Sequence, residues 1–325
     1  MAKRSAFWKE RSVLVTGGAG FIGFALVRHL ISLGAKVTVL DIKKNVPEYA
    51  TPAEKRAVSY ERSSVTNGRV VRDILKRRKI RTVFHLAAEA IVGRANTHPV
   101  RALEANVRGT WVLLESARRV PVEEIIVASS DKAYGTHDRL PYTEGAALAG
   151  EHPYDVSKSC TDLIALMYAK TFKLPVAVAR CGNVYGPGDL NWSRLIPDSF
   201  RSLATGKKIL IRSDGSHVRD YIFVDDIVEA YCVLAESVRS GELVGEAFNF
   251  GTNKPIPVRK VLEAIGKAAG KPVPRTILNT AKHEIHAQYL DSSKAHKLLR
   301  WVPRVSRAEG FKRTATWYAR FFPDN

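Results

Sequence analysis

Tyr154 and Lys158 stand four residues apart, so in a helix they share a face. An ammonium held near a phenol lowers the phenol's pKa toward operating pH, which makes Tyr154 a candidate general base. Upstream, Ser129-Ser130-Asp131-Lys132-Ala133-Tyr134-Gly135 places hydroxyls, an acid and an amine in one short run. Loss of water from neighbouring carbons needs a proton removed from one carbon and another delivered to the departing oxygen. Asp131 could be the acid and Lys132 the base. Lys132 would then have to be neutral, which needs burial or neighbouring cations such as Lys158. A solvated turn pair is the alternative for these two residues.

A second group concerns anion binding. In Thr16-Gly17-Gly18-Ala19-Gly20-Phe21-Ile22-Gly23 a glycine recurs every third residue between a β-branched run and a helical pattern. Glycines there permit a tight turn and close backbone approach, so the N–H groups that open the helix can receive a pyrophosphate. Asp41 closes the next β-branched run. A carboxylate there can accept both hydroxyls of an adenosine ribose and repels a 2′-phosphate, which favours NAD over NADP, although Lys43 and Lys44 follow closely.

The elements that must position these groups alternate through the first half. Strands are expected at Ser12–Thr16, Lys36–Asp41, Thr82–Ala87, Glu124–Ser129 and Val176–Arg180. Helices are expected at Phe21–Leu33, Val100–Arg118 and Tyr154–Thr171, where apolar residues recur at three- and four-residue intervals. This is the pattern of an α/β fold with a parallel sheet covered on both faces. After Arg180 the elements shorten and loop signals such as GPGD (Gly186 to Asp189) multiply, suggesting a dinucleotide-binding portion at 1–180 and a substrate-binding portion at 181–325.

Composition narrows the class. With 325 residues and 45% hydrophobic content the chain can bury a sizeable core. Its formal charge of +19 is spread from Lys3 to Arg320 without an aromatic-interleaved basic stretch, so anionic small molecules are expected rather than nucleic acid. Cys160, Cys181 and Cys232 lack metal-ligand spacing and read as free thiols, with no metal expected. Met1 to Arg11 is basic without a signal-peptide core, and no run is long and apolar enough for a membrane span; a cytoplasmic protein is expected.

The glycine spacing, with HLAA (His85 to Ala88), NVRGT (Asn106 to Thr110) and YDVSK (Tyr154 to Lys158), resembles the extended short-chain dehydrogenase/reductase family. RDYIFVDD (Arg219 to Asp226) and FNFGT (Phe248 to Thr252) are similar to its nucleotide-sugar epimerase and dehydratase branch, so the resemblance covers nearly the whole chain. It implies a Rossmann-like doubly wound sheet, a smaller C-terminal α/β substrate domain, NAD as cofactor, a nucleotide-diphosphate sugar as substrate and a homodimer through paired helices. At the cofactor it places Gly17, Gly20, Phe21, Ile22, Gly23, Asp41, Ser64, Val65, Leu86, Ala87, Ala88 and Asn106, together with Tyr154 and Lys158, whose amine would also hydrogen-bond the nicotinamide ribose. Ser64 departs from the acidic residue the family has near the adenine. Ser130 matches the family's hydroxyl beside the tyrosine. Asn183, Arg194 and Arg219 fall at the substrate, with Arg219 on the diphosphate.

Epimerases of this family usually have small, chemically idle residues after that hydroxyl. The Asp131-Lys132 pair is similar to that of CDP-glucose 4,6-dehydratases, as are FWKERSVLVTG (Phe7 to Gly17) and RLIPDSF (Arg194 to Phe200), although that subgroup's usual glycine loop differs and this chain is shorter. The resemblance therefore implies a nucleotide-sugar 4,6-dehydratase working through a 4-keto sugar. A 4-epimerase of the UDP-glucose or UDP-glucuronate type is the nearest alternative. A non-catalytic NAD-binding regulatory protein is more distant, and the intact set Ser130, Tyr154 and Lys158 argues against it.

Overall fold

The structure is a computed structural model that describes residues 6–280 and 285–322, so the first five residues of the basic opening, Lys3 among them, lie outside the described residues. Seven parallel strands make the central sheet: β1 (Ser12–Thr16), β2 (Lys36–Asp41), β3 (Val58–Arg62), β4 (Thr82–His85), β5 (Glu124–Ser130), β6 (Val176–Cys181) and β11 (Ala247–Phe250). Their spatial order is β11-β6-β5-β4-β1-β2-β3. The order reverses beside β1, and in open α/β sheets ligands bind at the carboxyl edge of such a point.

Alternation along β1 shows why both faces are covered. Val13 and Val15 join Leu26 and Leu30 of α1 (Phe21–Ser32) in one buried cluster, while Leu14 between them joins a second cluster with Val71 and Ile74 of α2 (Gly68–Arg77) and Leu113 of α3 (Gly109–Arg119). Each such side chain contributes roughly 1.5–3 kcal/mol when fully removed from water. The first face also takes α6 (Val224–Val238), and the second takes α4 (Pro153–Phe172), which carries Tyr154 and Lys158.

The strands and helices expected from sequence form, with informative differences. β3 and β11 were not expected: β3 is a half-buried edge strand of mixed polarity, and AFNF of β11 contains no β-branched residue. β4 stops at His85, two residues short of the expected end. The helix expected over Val100–Arg118 is three pieces, Pro99–Leu103, a π-turn at Glu104–Arg108, and α3. At that turn the Asn106 carbonyl accepts the hydroxyls of Thr110 at 2.6 Å and Thr161 at 3.1 Å, and the Asn106 side chain points inward.

Past residue 180 the chain builds small sheets and then returns to the large one. β7 (Asn183–Tyr185) pairs with β10 (Tyr221–Phe223), β8 (Ile209–Ile211) with β13 (Arg275–Ile277), and β9 (Val218–Arg219) lies between β12 (Ile256–Pro257) and β14 (Ala287–Gln288). Because α6 and β11 pack into the seven-stranded layer, that layer extends beyond the 1–180 boundary drawn from sequence. Among the described residues, no helix is long and apolar enough to cross a membrane.

Candidate active site

The loop after β1 has the shape a dinucleotide requires. Gly17 sits at φ +71°, and a Cβ there would lie 2.7 Å from the Ala87 nitrogen and 2.8 Å from the Leu86 carbonyl. A Cβ on Gly23 would meet the Gly17 carbonyl oxygen at 2.2 Å, so neither position accepts a side chain. Helix α1 starts at Gly20 with no side chain capping its first N–H groups and no acidic residue in its first turn. Open donors and the positive end of the helix dipole therefore face the loop, with Phe21 and Ile22 half-buried in that turn. These features fit the pyrophosphate of NAD.

Asp41 is buried at the carboxyl end of β2, where its two oxygens accept from the backbone nitrogens of Ala19 and Lys43, both at 3.0 Å. Lys43 closes the corner by donating from Nζ to the Ala19 carbonyl at 2.9 Å. Ser64 is engaged in its own turn, with Oγ 2.8 Å from the Thr66 hydroxyl, and Val65 is buried. Leu86, Ala87 and Ala88 follow β4 at the same edge, the Ala87 N–H donating to the Thr16 hydroxyl at 3.2 Å. Asn106 was expected among the cofactor residues, but its side chain is committed to protein partners: it accepts from the Glu89 nitrogen at 2.7 Å and donates to the Ser157 hydroxyl at 2.8 Å. Its visible work is to tie the loop after β4 to α4.

The chemical groups converge where β5 ends. Ser130 caps the 3-10 turn Asp131–Tyr134, accepting from the Lys132 nitrogen at 3.3 Å and donating to Asp131 Oδ1 at 3.0 Å. Its side chain faces the Tyr154 phenol. Lys158 donates to the Ala128 carbonyl at 2.8 Å, and burial pulls its ammonium down to about 8. Burial pushes the Tyr154 phenol up to about 12, against opposing pulls from Arg194 and Ser130. Burial outweighs the cations beside the phenol, of which the leading one is Arg194.

Asp131 and Lys132 are not a solvated pair. The carboxylate is buried and meets Lys132 Nζ at 3.3 Å, with the amine half-buried. Burial pulls the Lys132 ammonium below its usual range, Asp131 opposes this, and Arg219 adds to it. The expected cation neighbour was Lys158, whereas the structure brings Arg219 from β9.

The second half supplies the remaining wall. Arg194 caps α5 (Leu195–Thr205) and pairs with the buried Asp189 at 3.1 Å. Asn183 donates to the Asp220 carbonyl at 3.3 Å. Arg219 donates to the carbonyls of Val218 and His286 at 2.9 and 3.1 Å. Two residues at the pair were missed from sequence. Gln288 of β14 accepts from Lys132 Nζ and donates to the Asp131 carbonyl. Asp155 is buried next to Tyr154, and its carboxyl is raised to about 6 by burial, with Lys132 pulling the other way. A carboxylate directly after the candidate base was the one available signal for Asp155; the two-residue strand that brings in Gln288 left none.

The parallel sheet, glycine turn and reversal of strand order define a Rossmann-like dinucleotide-binding protein. The sequence profile of the NAD dependent epimerase/dehydratase family matches residues 13–251, and the chain belongs to that family. It is 32% identical over 318 residues to a dTDP-glucose 4,6-dehydratase of Streptomyces antibioticus, covering 94% of this chain and 92% of that protein. The dTDP-glucose 4,6-dehydratase of Streptomyces venezuelae, solved with NAD bound, superimposes with a TM-score of 0.84 at 29% identity, over 95% of this chain and 97% of that one. The UDP-glucose 4-epimerase of Thermotoga maritima, solved with UDP-glucose, gives 0.86 at 29% identity over 95% and 99%.

Proposed function

We propose that this chain is an NAD-dependent nucleotide-sugar 4,6-dehydratase. The observation that carries the reading is the buried Asp131–Lys132 pair, adjoining the Ser130 hydroxyl that faces the Tyr154 phenol. A 4-epimerase has no use for an acid and an amine in contact there. The epimerase reading keeps support from the overlay with the Thermotoga enzyme, which tests the fold more than this pair.

When bound, NAD supplies the hydride acceptor for C4 and later the donor for C6, and adds a positive charge in the cleft. Tyr154 takes the proton of the sugar O4, with Ser130 hydrogen-bonding that oxygen and Lys158 favouring the phenolate. Oxidation at C4 acidifies the hydrogen on C5. Neutral Lys132 removes that proton, the C6–O bond breaks, and Asp131 gives its proton to the leaving oxygen, which departs as water; once C6 is reduced, Lys132 returns its proton to C5. The resting pair already holds the one proton this step needs, because Asp131 and Lys132 exchange charge for neutrality when a proton passes from amine to carboxylate. Burial and Arg219 favour the free amine of Lys132. The proton that Tyr154 took from O4 balances the one Asp131 lost to water, and the 4-keto group stays in the product. Arg194, Arg219 and Asn183 are the proposed diphosphate and sugar contacts within a substrate portion at 181–325.

The reading includes a cytoplasmic homodimer. It is supported by the absence of disulfides among the three cysteines and by apolar side chains exposed along the neighbouring helices α3 and α4, namely Trp111, Leu163, Met167 and Phe172. Incubating the enzyme and NAD with nucleotide hexoses of several bases and recording product mass tests the function. Loss of one water supports a dehydratase; an unchanged mass with inverted C4 supports the epimerase.

A further inference from the structure

Gln288 is fully buried at the end of β14 and reaches the Asp131–Lys132 pair from across the cleft wall. Its Oε1 accepts from Lys132 Nζ, and its Nε2 donates to the Asp131 carbonyl at 3.2 Å. One planar amide thus bonds two consecutive residues with its two different ends, which fixes its own orientation and the direction of the amine. Its support is the small sheet: β14 runs parallel to β9 with Gln288 opposite Arg219, and Arg219 donates to the His286 carbonyl two residues before Gln288. The amide also faces the Tyr142 phenol, whose hydroxyl donates to the Gly135 carbonyl at 2.9 Å. Gln288 therefore closes both ends of the turn that carries the pair.

We infer that Gln288 is the positioning residue of the Asp131–Lys132 pair, holding the Lys132 amine against the Asp131 carboxylate from the far strand. What the pair then does rests on the dehydratase reading. The charged groups facing Lys132 are Asp131 on its own turn, Asp155 on α4 and Arg219 on β9. The carboxylates and the Gln288 oxygen favour the ammonium; burial and Arg219 favour the free amine. Two near-isosteric changes shift this balance in opposite directions. Gln288→Met removes an acceptor and favours the neutral amine, whereas Gln288→Glu replaces it with a carboxylate and favours the ammonium.

The test compares full-length wild type with NAD, Gln288→Met and Gln288→Glu by two readouts. One is the pH dependence of dehydration of a nucleotide hexose; the other is the titration of Lys132 followed by NMR on labelled lysine. The fall in dehydration at high pH, where the pair loses its one proton, and the Lys132 titration should both move about one pH unit alkaline in Gln288→Glu and acid in Gln288→Met. The initial burst of reduced cofactor from C4 oxidation should persist in both. Unmoved titrations in two folded variants would overturn the inference, as would equal loss of NAD affinity, the burst and dehydration, which marks a merely structural residue. Opposed shifts in titration with no dehydration by wild type would keep Gln288 as the positioning residue and reject the dehydratase reading instead.

Discussion

The Lys158 ammonium donates to the Ala128 carbonyl at 2.8 Å, which ties the helix carrying Tyr154 to the strand that ends in Ser130. Burial lowers that ammonium to about 8, so it is charged below that pH and neutral above it. If the charge is what favours the Tyr154 phenolate, C4 oxidation in enzyme not yet carrying sugar, read as kcat/KM, should decline above about pH 8. Lys158→Met should lower kcat/KM by roughly two to four orders of magnitude and abolish the decline. A pH profile through that range checks both.

Tyr154→Phe removes the group that takes the O4 proton and leaves the buried ring in place. Turnover should fall by roughly two to four orders of magnitude while NAD binding and the melting temperature stay near wild type. Near-native turnover would remove Tyr154 from the mechanism.

Asp41 holds the corner of the glycine loop through Ala19 and Lys43, so its loss has two consequences. NAD should bind more tightly than NADP to wild type, and Asp41→Ala should weaken NAD while narrowing the difference. Tighter NADP binding by wild type, measured by titration calorimetry, would contradict the assignment.

His85 is buried between the hydroxyls of Thr16 and Thr110, and burial, helped by Lys158, drops its pKa to about 3. The unfolded chain takes up this proton near pH 6.5, while the folded one does so only near 3. Stability from neutral His85 is thus full above about pH 6.5 and is lost as pH falls toward 3. Urea midpoints measured from pH 7 to 4 should drop less steeply in His85→Gln than in wild type.

How far the sequence could be read depends on whether a group is fixed by local or distant chain. Gly17, Gly23, Tyr154 and Lys158 belong to motifs that carry their own geometry, a strand-to-helix turn and one helix face, and the structure places them where those motifs require. Asp131 and Lys132 were legible as neighbours but not as a buried pair, because Gln288, which bonds both, comes from β14, more than a hundred residues away. For the same reason Arg219, which faces Lys132 from β9, was not named among its neighbouring cations. Asn106 lay in a recognisable motif, yet the π-turn that directs its amide to Glu89 and Ser157 leaves no helical-period signature. β11 escaped because AFNF is short and lacks β-branching, while its partner β6 does the pairing.

The central claim is that Asp131 and Lys132 carry out elimination after Tyr154, Ser130 and Lys158 have enabled oxidation at C4. Single-turnover absorbance of the reduced cofactor, recorded with product mass for Asp131→Ala/Lys132→Ala, tests it most directly. Reduced cofactor should appear and persist, because C4 is oxidised and C6 offers no acceptor, and the loss of one water from the product should nearly vanish. Dehydration by the double variant at the wild-type rate would contradict the account.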